Sequence, residues 1–206
     1  MAFIHKLTQD QQVVKTIHLL SGDKILVVSG CYIRLYDLSS IQAQADVPAT
    51  YPPAGCYLEP IWENSDFNFE ILSKPYYSGN TNEFRLVFST GFSVCGIIIP
   101  PCHVGAESQP EFVTFVYLHA LCGQARCHFG YNSAVTIDGV PPGPRLRMMN
   151  YSWPEESSQS SPGCSISLVQ FHKNYRRPQY SAFDEYSSRV VMEAGNKVVV
   201  YDFAKF

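Results

Sequence analysis

Charge is scarce in this sequence. Asp, Glu, Lys and Arg make up only 16% of its 206 residues, with a formal balance of −3. No basic stripe is visible, so a nucleic-acid partner is not expected. Hydrophobic residues reach 46%, which excludes a disordered tail and favours a folded domain with a sizeable core.

Long apolar runs and targeting signals are also missing. No run approaches the roughly 20 residues that a membrane helix requires, so we expect no membrane partner. The first residues, MAFIHK, lack the basic start and apolar core of a signal peptide. The seven cysteines are then expected to be reduced and mostly buried.

Sequence motifs of catalysis are absent as well. There is no Gly-x-Ser-x-Gly elbow and no glycine-rich phosphate loop. The pairs Cys102-His103 and Cys127-His128 do not supply a nucleophile and its base, because adjacent residues of a strand point to opposite faces. We predict that the chain has no catalytic residue and no cofactor, and that it is not an enzyme.

One cluster of cysteines and histidines raises the alternative of a zinc site. A tetrahedral zinc site usually includes a tight Cys-x-x-Cys pair, and the sequence has none. Core cysteines and turn histidines are the simpler interpretation, so no metal ligand is predicted. The residues concerned are Cys95, Cys102, His103, His119, Cys122, Cys127 and His128.

What the sequence does contain is a succession of strand signals. Aromatic residues reach 14%, which favours pleated surfaces, and Phe84, Leu86 and Phe88 alternate with other residues at a period of two. No convincing amphipathic helix exceeds two turns, so we predict one all-β domain over residues 1–206. Strands are predicted at residues 13–19, 25–28, 32–38, 67–72, 84–89, 94–99, 112–119, 135–137, 146–149, 166–171, 189–192 and 197–203.

An internal repeat is the most informative feature. Residues 24–38 (KILVVSGCYIRLYDL) align without a gap with residues 189–203 (RVVMEAGNKVVVYDF). The offset of 165 residues, from Tyr36 to Tyr201, equals about four propeller blades of ~40–45 residues. Each copy would be the middle hairpin of a blade, although any two hairpins share some likeness. The shared positions are Gly30, Tyr36 and Asp37 in one copy and Gly195, Tyr201 and Asp202 in the other.

These residues carry a family resemblance. Residues 19–24 (LLSGDK) with 35–38 (LYDL), and residues 183–191 (FDEYSSRVV) with 199–203 (VVYDF), resemble the opening and closing motifs of the C-terminal WD-repeat-like propeller region of fungal F-box proteins. The resemblance implies a degenerate β-propeller-like fold of about four to five blades, incomplete as a ring. It also implies a cytoplasmic or nuclear protein that presents substrates to a ubiquitin ligase. No F-box precedes the propeller region, so we expect truncation at the N-terminus.

The function expected from these patterns is protein binding. Affinity would come from loop aromatics and arginines, the side chains that usually anchor interfaces, and open sheet edges would favour association. The partner is unidentified, and a carbohydrate-binding propeller and a zinc-binding protein are the alternatives. The predicted binding residues are Trp62, Tyr76, Tyr77, Trp153, Tyr175, Arg176 and Arg177.

Overall fold

The fold is known from a computed structural model of the chain. Sixteen β-strands and no α-helix occur in the part that the structure describes, which confirms the predicted all-β class. No helix in that part has the length and hydropathy needed to cross a membrane. The described residues are 14–39, 58–66, 71–90, 92–101, 109–117, 126–138, 145–154, 164–170, 181–194 and 197–203.

The first half of the chain forms two antiparallel sheets. Sheet 1 has the order β1-β2-β3-β4, and sheet 2 has the order β5-β7-β8-β9 with β6 paired to β7. Their strands are β1 (Val14–Leu20), β2 (Lys24–Ser29), β3 (Ile33–Asp37), β4 (Trp62–Asn64), β5 (Ile71–Leu72), β6 (Tyr76–Ser78), β7 (Glu83–Ser89), β8 (Ser93–Ile99) and β9 (Glu111–Tyr117).

The second half of the chain forms two more. Sheet 3 has the order β10-β11-β12-β13, and sheet 4 has the order β14-β15-β16. Their strands are β10 (Arg126–Phe129), β11 (Ser133–Asp138), β12 (Arg145–Tyr151), β13 (Cys164–Gln170), β14 (Ser181–Asp184), β15 (Arg189–Ala194) and β16 (Lys197–Asp202). Each sheet is therefore built from consecutive strands.

The four sheets pack face to face in chain order. One apolar cluster joins sheets 1 and 2, a second joins sheets 2 and 3, and a third joins sheets 3 and 4. Among the described residues no cluster joins sheet 4 to sheet 1. We call the side of each sheet that points toward the next sheet its forward face, and the opposite side its backward face.

Sheet 2 is buried on both faces, and its sequence shows why. Leu86 and Ile97 pair across β7 and β8 on the backward face, while Val87 and Gly96 pair on the forward face. Both faces therefore need apolar or small residues, which produces near-continuous hydrophobic strands. Gly96 is required, because a Cβ there would lie 2.6 Å from the Trp153 ring of sheet 3.

The two copies of the repeat are structurally equivalent. Lys24 faces Asp37 across β2 and β3, and Arg189 faces Asp202 across β15 and β16. The backbone matches too: the carbonyl of Asp23 accepts from the N–H of residue 38 at 2.7 Å, and that of Ser188 accepts from the N–H of residue 203 at 2.9 Å. Asp23 and Ser188 both have a left-handed backbone conformation, with φ of 56° and 52°.

One detail of the repeat interpretation needs correction. The copies lie in the first and fourth sheets, so the offset of 165 residues covers three steps between sheets and not four. Each step takes more residues than an ordinary blade, because long segments join strands within a sheet, such as the 24 residues between β3 and β4. Gly30 does not have to be glycine: its φ is not positive, and a Cβ would meet only Lys15 at an ordinary 3.8 Å. Gly195 lies outside the described residues.

Four strands were not predicted: β4, β6, β10 and β14 have only three or four residues each. A run this short shows too little alternation to be distinguished from a loop. Each becomes a strand because a longer neighbour offers it a hydrogen-bonding edge.

Candidate functional site

Sheets 2, 3 and 4 meet at the turn between β10 and β11. This turn, which we call the Tyr131 turn, comprises Gly130, Tyr131 and Asn132. The N–H of Gly130 donates to the carbonyl of Ser133 at 2.7 Å and closes it. Side chains from all three sheets contact it, so it is a polar junction between these sheets.

Sheet 4 contributes the carboxylate of Glu185, from the turn between β14 and β15. It accepts hydrogen bonds from the N–H groups of Tyr131 at 2.6 Å and Asn132 at 2.5 Å, and from the Ser133 hydroxyl at 2.9 Å. A side chain on Gly130 would collide with this carboxylate. Glu185 is thus fully engaged in joining sheet 4 to sheet 3.

Sheet 2 contributes Arg85 and Tyr76. The buried guanidinium of Arg85 donates to the Tyr131 hydroxyl at 2.8 Å and to the Glu83 carboxylate at 2.9 Å. It also lies 5.2 Å from the centre of the Trp153 ring, within the range of a cation–π interaction. The Tyr76 hydroxyl donates to the carbonyl of Phe129 at 3.2 Å.

Three aromatic side chains of sheets 2 and 3 pack beneath the Tyr131 turn, in the core between these sheets. The Tyr151 hydroxyl lies 2.7 Å from the carbonyl of Gly130, and the indole N–H of Trp153 donates to the carbonyl of Tyr131 at 2.7 Å. Phe115 of sheet 2 stacks on the Tyr151 ring at 4.4 Å and meets the Trp153 ring edge-on at 4.9 Å. The turn is therefore held by directional hydrogen bonds above a packed aromatic base.

The titratable groups of this cluster are adapted to structure. Burial raises the pKa of Tyr151 far above its usual value, and Glu185 adds to the effect. Burial, followed by the nearby Glu185 charge, also raises the pKa of Tyr76. Both phenols therefore stay protonated as donors, while Arg85 and Glu185 are occupied by hydrogen bonds. Nothing in this arrangement is poised as a general base.

Two exposed tyrosines directly follow residues that contact the turn. Tyr77 follows Tyr76 and is 56% exposed; its hydroxyl donates to the Asn82 side chain at 2.6 Å, and its ring packs on Phe84 at 5.3 Å. Tyr186 follows Glu185 and is 100% exposed. Because Tyr76 and Glu185 both bind the segment 129–133, the two exposed rings belong to the same end of the sheets.

The structure places the predicted binding residues in different environments. Tyr76 and Trp153 come together at the Tyr131 turn, but Trp153 is only 7% exposed. Its prediction as a loop anchor is therefore corrected to a core position, because Gly96 leaves room for its ring. Trp62 is half-buried in sheet 1, with its ring 5.8 Å from that of Phe112. Tyr175, Arg176 and Arg177 lie outside the described residues.

Sequence reasoning missed three residues of this cluster. Arg85 left a signal, because a lone arginine between Phe84 and Leu86 in an apolar strand requires a partner when the sheet is buried on both faces. Tyr131 and Glu185 left none. Their contact joins residues more than fifty positions apart, and only the packing of sheet 4 on sheet 3 brings them together.

The cysteines and histidines form no reactive centre among the described residues. Cys95 is buried, and burial raises the pKa of its thiol, so the reactive thiolate is disfavoured. Within the described ranges no three His, Cys, Asp or Glu side chains are arranged to hold a metal ion. Cys102, His103, His119 and Cys122 lie outside those ranges.

One histidine–serine contact has the distance of a base and nucleophile. The His128 Nε2 atom and the Ser181 hydroxyl are 2.7 Å apart, between sheets 3 and 4. Nucleophilic catalysis also needs a group that orients the imidazole and donors that stabilise an oxyanion. The contact by itself is a further link between the two sheets. Cys127 lies on the opposite face of β10 from His128, as strand alternation requires.

Comparison with known proteins assigns the chain to no family. A scan against protein-family models found no match, and a search of curated proteins found no significant relative.

Proposed function

We propose that the chain is a non-enzymatic protein-interaction module built on a propeller-like set of blades. Support for the blades comes from four consecutive antiparallel sheets, each packed on the next. Support for the equivalence of the blades comes from the matched turns and charge pairs of sheets 1 and 4. In such a fold, loops at the ends of the blades are the usual binding surface.

The observation that carries the proposal is that two exposed tyrosines directly follow residues that bind the rigid Tyr131 turn: Tyr77 follows Tyr76, and Tyr186 follows Glu185. Tyrosine offers a large amphipathic contact surface at low entropic cost. The turn beneath them is held by Glu185 and Arg85, so little ordering is needed when a partner binds. We propose Tyr77 and Tyr186 as the principal contact residues of this surface.

The resemblance to fungal F-box proteins bears on the partner. It would make the bound protein a substrate for ubiquitylation, with the ligase adaptor recruited elsewhere. This part of the proposal rests on the motifs at residues 19–24, 35–38, 183–191 and 199–203. Co-purification of cullin-ligase subunits with the chain is its direct test.

No specific observation favours either alternative function, sugar binding or zinc binding. Sugar binding by tryptophan stacking needs accessible indole rings, whereas Trp153 is buried and Trp62 is packed near Phe112. The zinc alternative depends largely on residues outside the described ranges. Protein binding is therefore the function that we carry forward.

Site-specific photocrosslinking tests the proposal. A photoreactive phenylalanine is placed at Tyr186 in one sample and at Phe92 in another, and each is irradiated in a cell extract. Phe92 is the matched control, because it is also exposed at 72% but lies in the turn between β7 and β8, at the other end of sheet 2. We expect a specific crosslinked protein from position 186 alone.

The captured protein must then bind in purified form. Changing both Tyr77 and Tyr186 to Ala should weaken its affinity at least about 30-fold, because a single hot-spot aromatic already contributes about 2 kcal/mol or more. Phe92→Ala should leave the affinity unchanged. Equal binding by the wild type and the double variant would refute the proposed surface.

A further inference from the structure

The two ends of the sheets can be told apart by the contacts of the Tyr131 turn. Arg85, near the start of β7, and Glu185, between β14 and β15, both contact this turn, so sheets 2, 3 and 4 are oriented alike. The rings of Trp62 and Phe112 lie 5.8 Å apart near the starts of β4 and β9, which aligns sheet 1 with sheet 2. We call the end of all four sheets that carries this turn the Tyr131 end.

Carboxylates without a counter-charge lie at the Tyr131 end. Asp23 is in the turn between β1 and β2, Glu59 precedes β4, and Glu111 begins β9. All three residues are exposed. Within the described ranges no ion pair involves any of them. They are therefore available to a partner.

The accessible cations of this end are already opposed by carboxylates. Lys24 lies opposite Asp37 across β2 and β3. Arg189 lies opposite Asp202, with the guanidinium 3.3 Å from the carboxylate. Lys74 lies between β5 and β6, nearer the middle of sheet 2. The three exposed carboxylates thus stay uncompensated among the described residues.

The sequence of the connections at this end adds to the excess. In sheets 1, 2 and 3 the third strand ends here and the fourth begins here, so residues 38–61, 100–110 and 152–163 join strands at the Tyr131 end. These segments contain no Lys or Arg. Their acidic residues are Asp46, Glu59, Glu107, Glu155 and Glu156. Negative charge is therefore contributed to this end by three sheets.

The opposite end has no such excess. The connections between second and third strands lie there and carry no charged residue; they are residues 30–32, 90–92, 139–144 and 195–196. Residues 171–180 join β13 to β14 at that end, and they contain Lys173, Arg176 and Arg177 but no acidic residue. The excess of acid therefore belongs to one end and does not simply follow from the formal balance of −3.

We propose that the partner of the Tyr77 and Tyr186 surface binds the Tyr131 end through a basic segment rich in lysine and arginine. The inference rests on the proposed function and adds the chemistry of the partner. Cations are attracted by carboxylates and also by the faces of aromatic rings. The chain combines the two within itself: the Arg34 guanidinium lies 4.1 Å from the centre of the Tyr32 ring and donates to Glu63 at 2.8 Å.

The spacing across sheet 2 suits an extended segment. Tyr77 pairs with Phe84 of β7, which pairs with Ile99 of β8. The neighbouring Ile98 pairs with Glu111 of β9. Tyr77 and Glu111 are therefore three strand spacings apart, about 14 Å. About four residues of extended chain cover this distance, so one short segment can place a cation at each.

Synthetic peptides test the chemistry of the partner. Three peptides of equal length alternate serine with lysine, glutamine or glutamate, and each is mixed at low salt with a chain that carries a photoreactive phenylalanine at Tyr186. We expect the lysine peptide to crosslink there and not from Phe92, and to bind about tenfold or more tightly than the glutamine peptide. Its binding should weaken as salt rises, because exposed charges are screened.

Two charge reversals give the matched comparison. Glu111→Lys acts at the Tyr131 end, whereas Asp66→Lys makes the same change in net charge at an exposed residue after β4, toward the opposite end. Glu111→Lys should weaken binding of the lysine peptide about three- to tenfold, because a repulsion replaces an attraction. Asp66→Lys should leave it nearly unchanged. Equal binding of the lysine and glutamine peptides, or an equal loss in both variants, would overturn the inference.

Failure of this inference is distinguishable from failure of the proposed function. The protein captured at position 186 is measured against the wild type, Glu111→Lys and the double tyrosine variant. Weaker binding by both variants supports the surface and the basic segment together. If only the double tyrosine variant binds more weakly, and salt has no effect, the surface stands and the basic segment is refuted.

Discussion

Sheets 1 and 4 carry the same sequence pattern, yet the same positions are buried in one and exposed in the other. Ile33 has no exposed surface, whereas its equivalent Val198 is 71% exposed. The hairpin register, the cross-strand charge pair and the hydrogen bond after the second strand are shared. Local structure therefore follows the pattern, while burial follows the place of each sheet in the series.

The cross-strand charge pairs of sheets 1 and 4 differ in what each carboxylate contacts. Hydrogen bonds from Ser39 lower the pKa of Asp37, and the Lys24 ammonium lowers it further. In sheet 4 the carboxylate of Asp202 lies 3.3 Å from the Arg189 guanidinium. Both pairs are at the surface, where an ion pair adds little to stability. These pairs therefore show that the two hairpins share a register, but they contribute little to the stability of either hairpin.

The largest expected effect comes from truncating the buried Ile33 of sheet 1, and its exposed equivalent Val198 of sheet 4 serves for comparison. Ile33→Ala should lower the free energy of unfolding by about 2–5 kcal/mol, because it leaves a cavity between sheets 1 and 2. Val198→Ala should lower it by less than about 0.5 kcal/mol in a single chain. Urea unfolding of dilute protein measures both changes. An equal loss in the two variants would mean that sheet 4 is also covered on its forward face.

A smaller effect is expected from the contact that fastens sheet 4 to sheet 3. Glu185→Ala should cost about 1–3 kcal/mol, because the N–H groups of Tyr131 and Asn132 lose their acceptor. Hydrogen exchange at these two amides should accelerate as well. Tyr186→Ala is the control, because this neighbouring side chain is fully exposed. A Glu185→Ala variant as stable as that control would show that the carboxylate does not hold the sheets together.

The smallest expected effect concerns the two equivalent residues that have a left-handed backbone conformation. Ser188 and Asp23 have φ of 52° and 56°, and aspartate tolerates this conformation better than serine. Ser188→Gly should raise the melting temperature by about 1–2 °C, the equivalent of about 0.5 kcal/mol. Asp23→Gly should bring no gain, because the added freedom of the unfolded chain offsets the smaller strain. Scanning calorimetry compares the two, and a reversed order would contradict the assignment.

Much of the fold could be predicted where strands are long and alternate clearly. Residues 84–89 and 94–99 were predicted as strands, and they form most of β7 and β8. Short strands such as β6 and β10 could not be predicted, because they exist only beside a longer neighbour. The alignment of the two repeat copies was confirmed in their pairing, but the number of steps between them was wrong, because connection lengths cannot be derived from the motif.

The candidate site was predictable only in fragments. Tyr76, Tyr77 and Trp153 were chosen as loop aromatics; Tyr76 and Trp153 contact the Tyr131 turn, whereas Tyr77 packs on Phe84. The choice rested on residue type alone, which cannot separate an exposed ring from a packed one. Trp153 is buried because Gly96, on a different sheet, leaves space for it. No local pattern contains that information.

The all-β class, the principal hairpins and the equivalence of the first and last hairpins follow from the amino-acid pattern. These features depend on side-chain alternation, turn residues and neighbouring pairs, which act over a few positions. Three further features emerge only when the sheets pack together: which face of each sheet is buried, the binding of Glu185 to the Tyr131 turn, and the exposure of a valine face on sheet 4. Those outcomes depend on sheets that are distant along the chain, where packing and desolvation are set by the neighbouring surface.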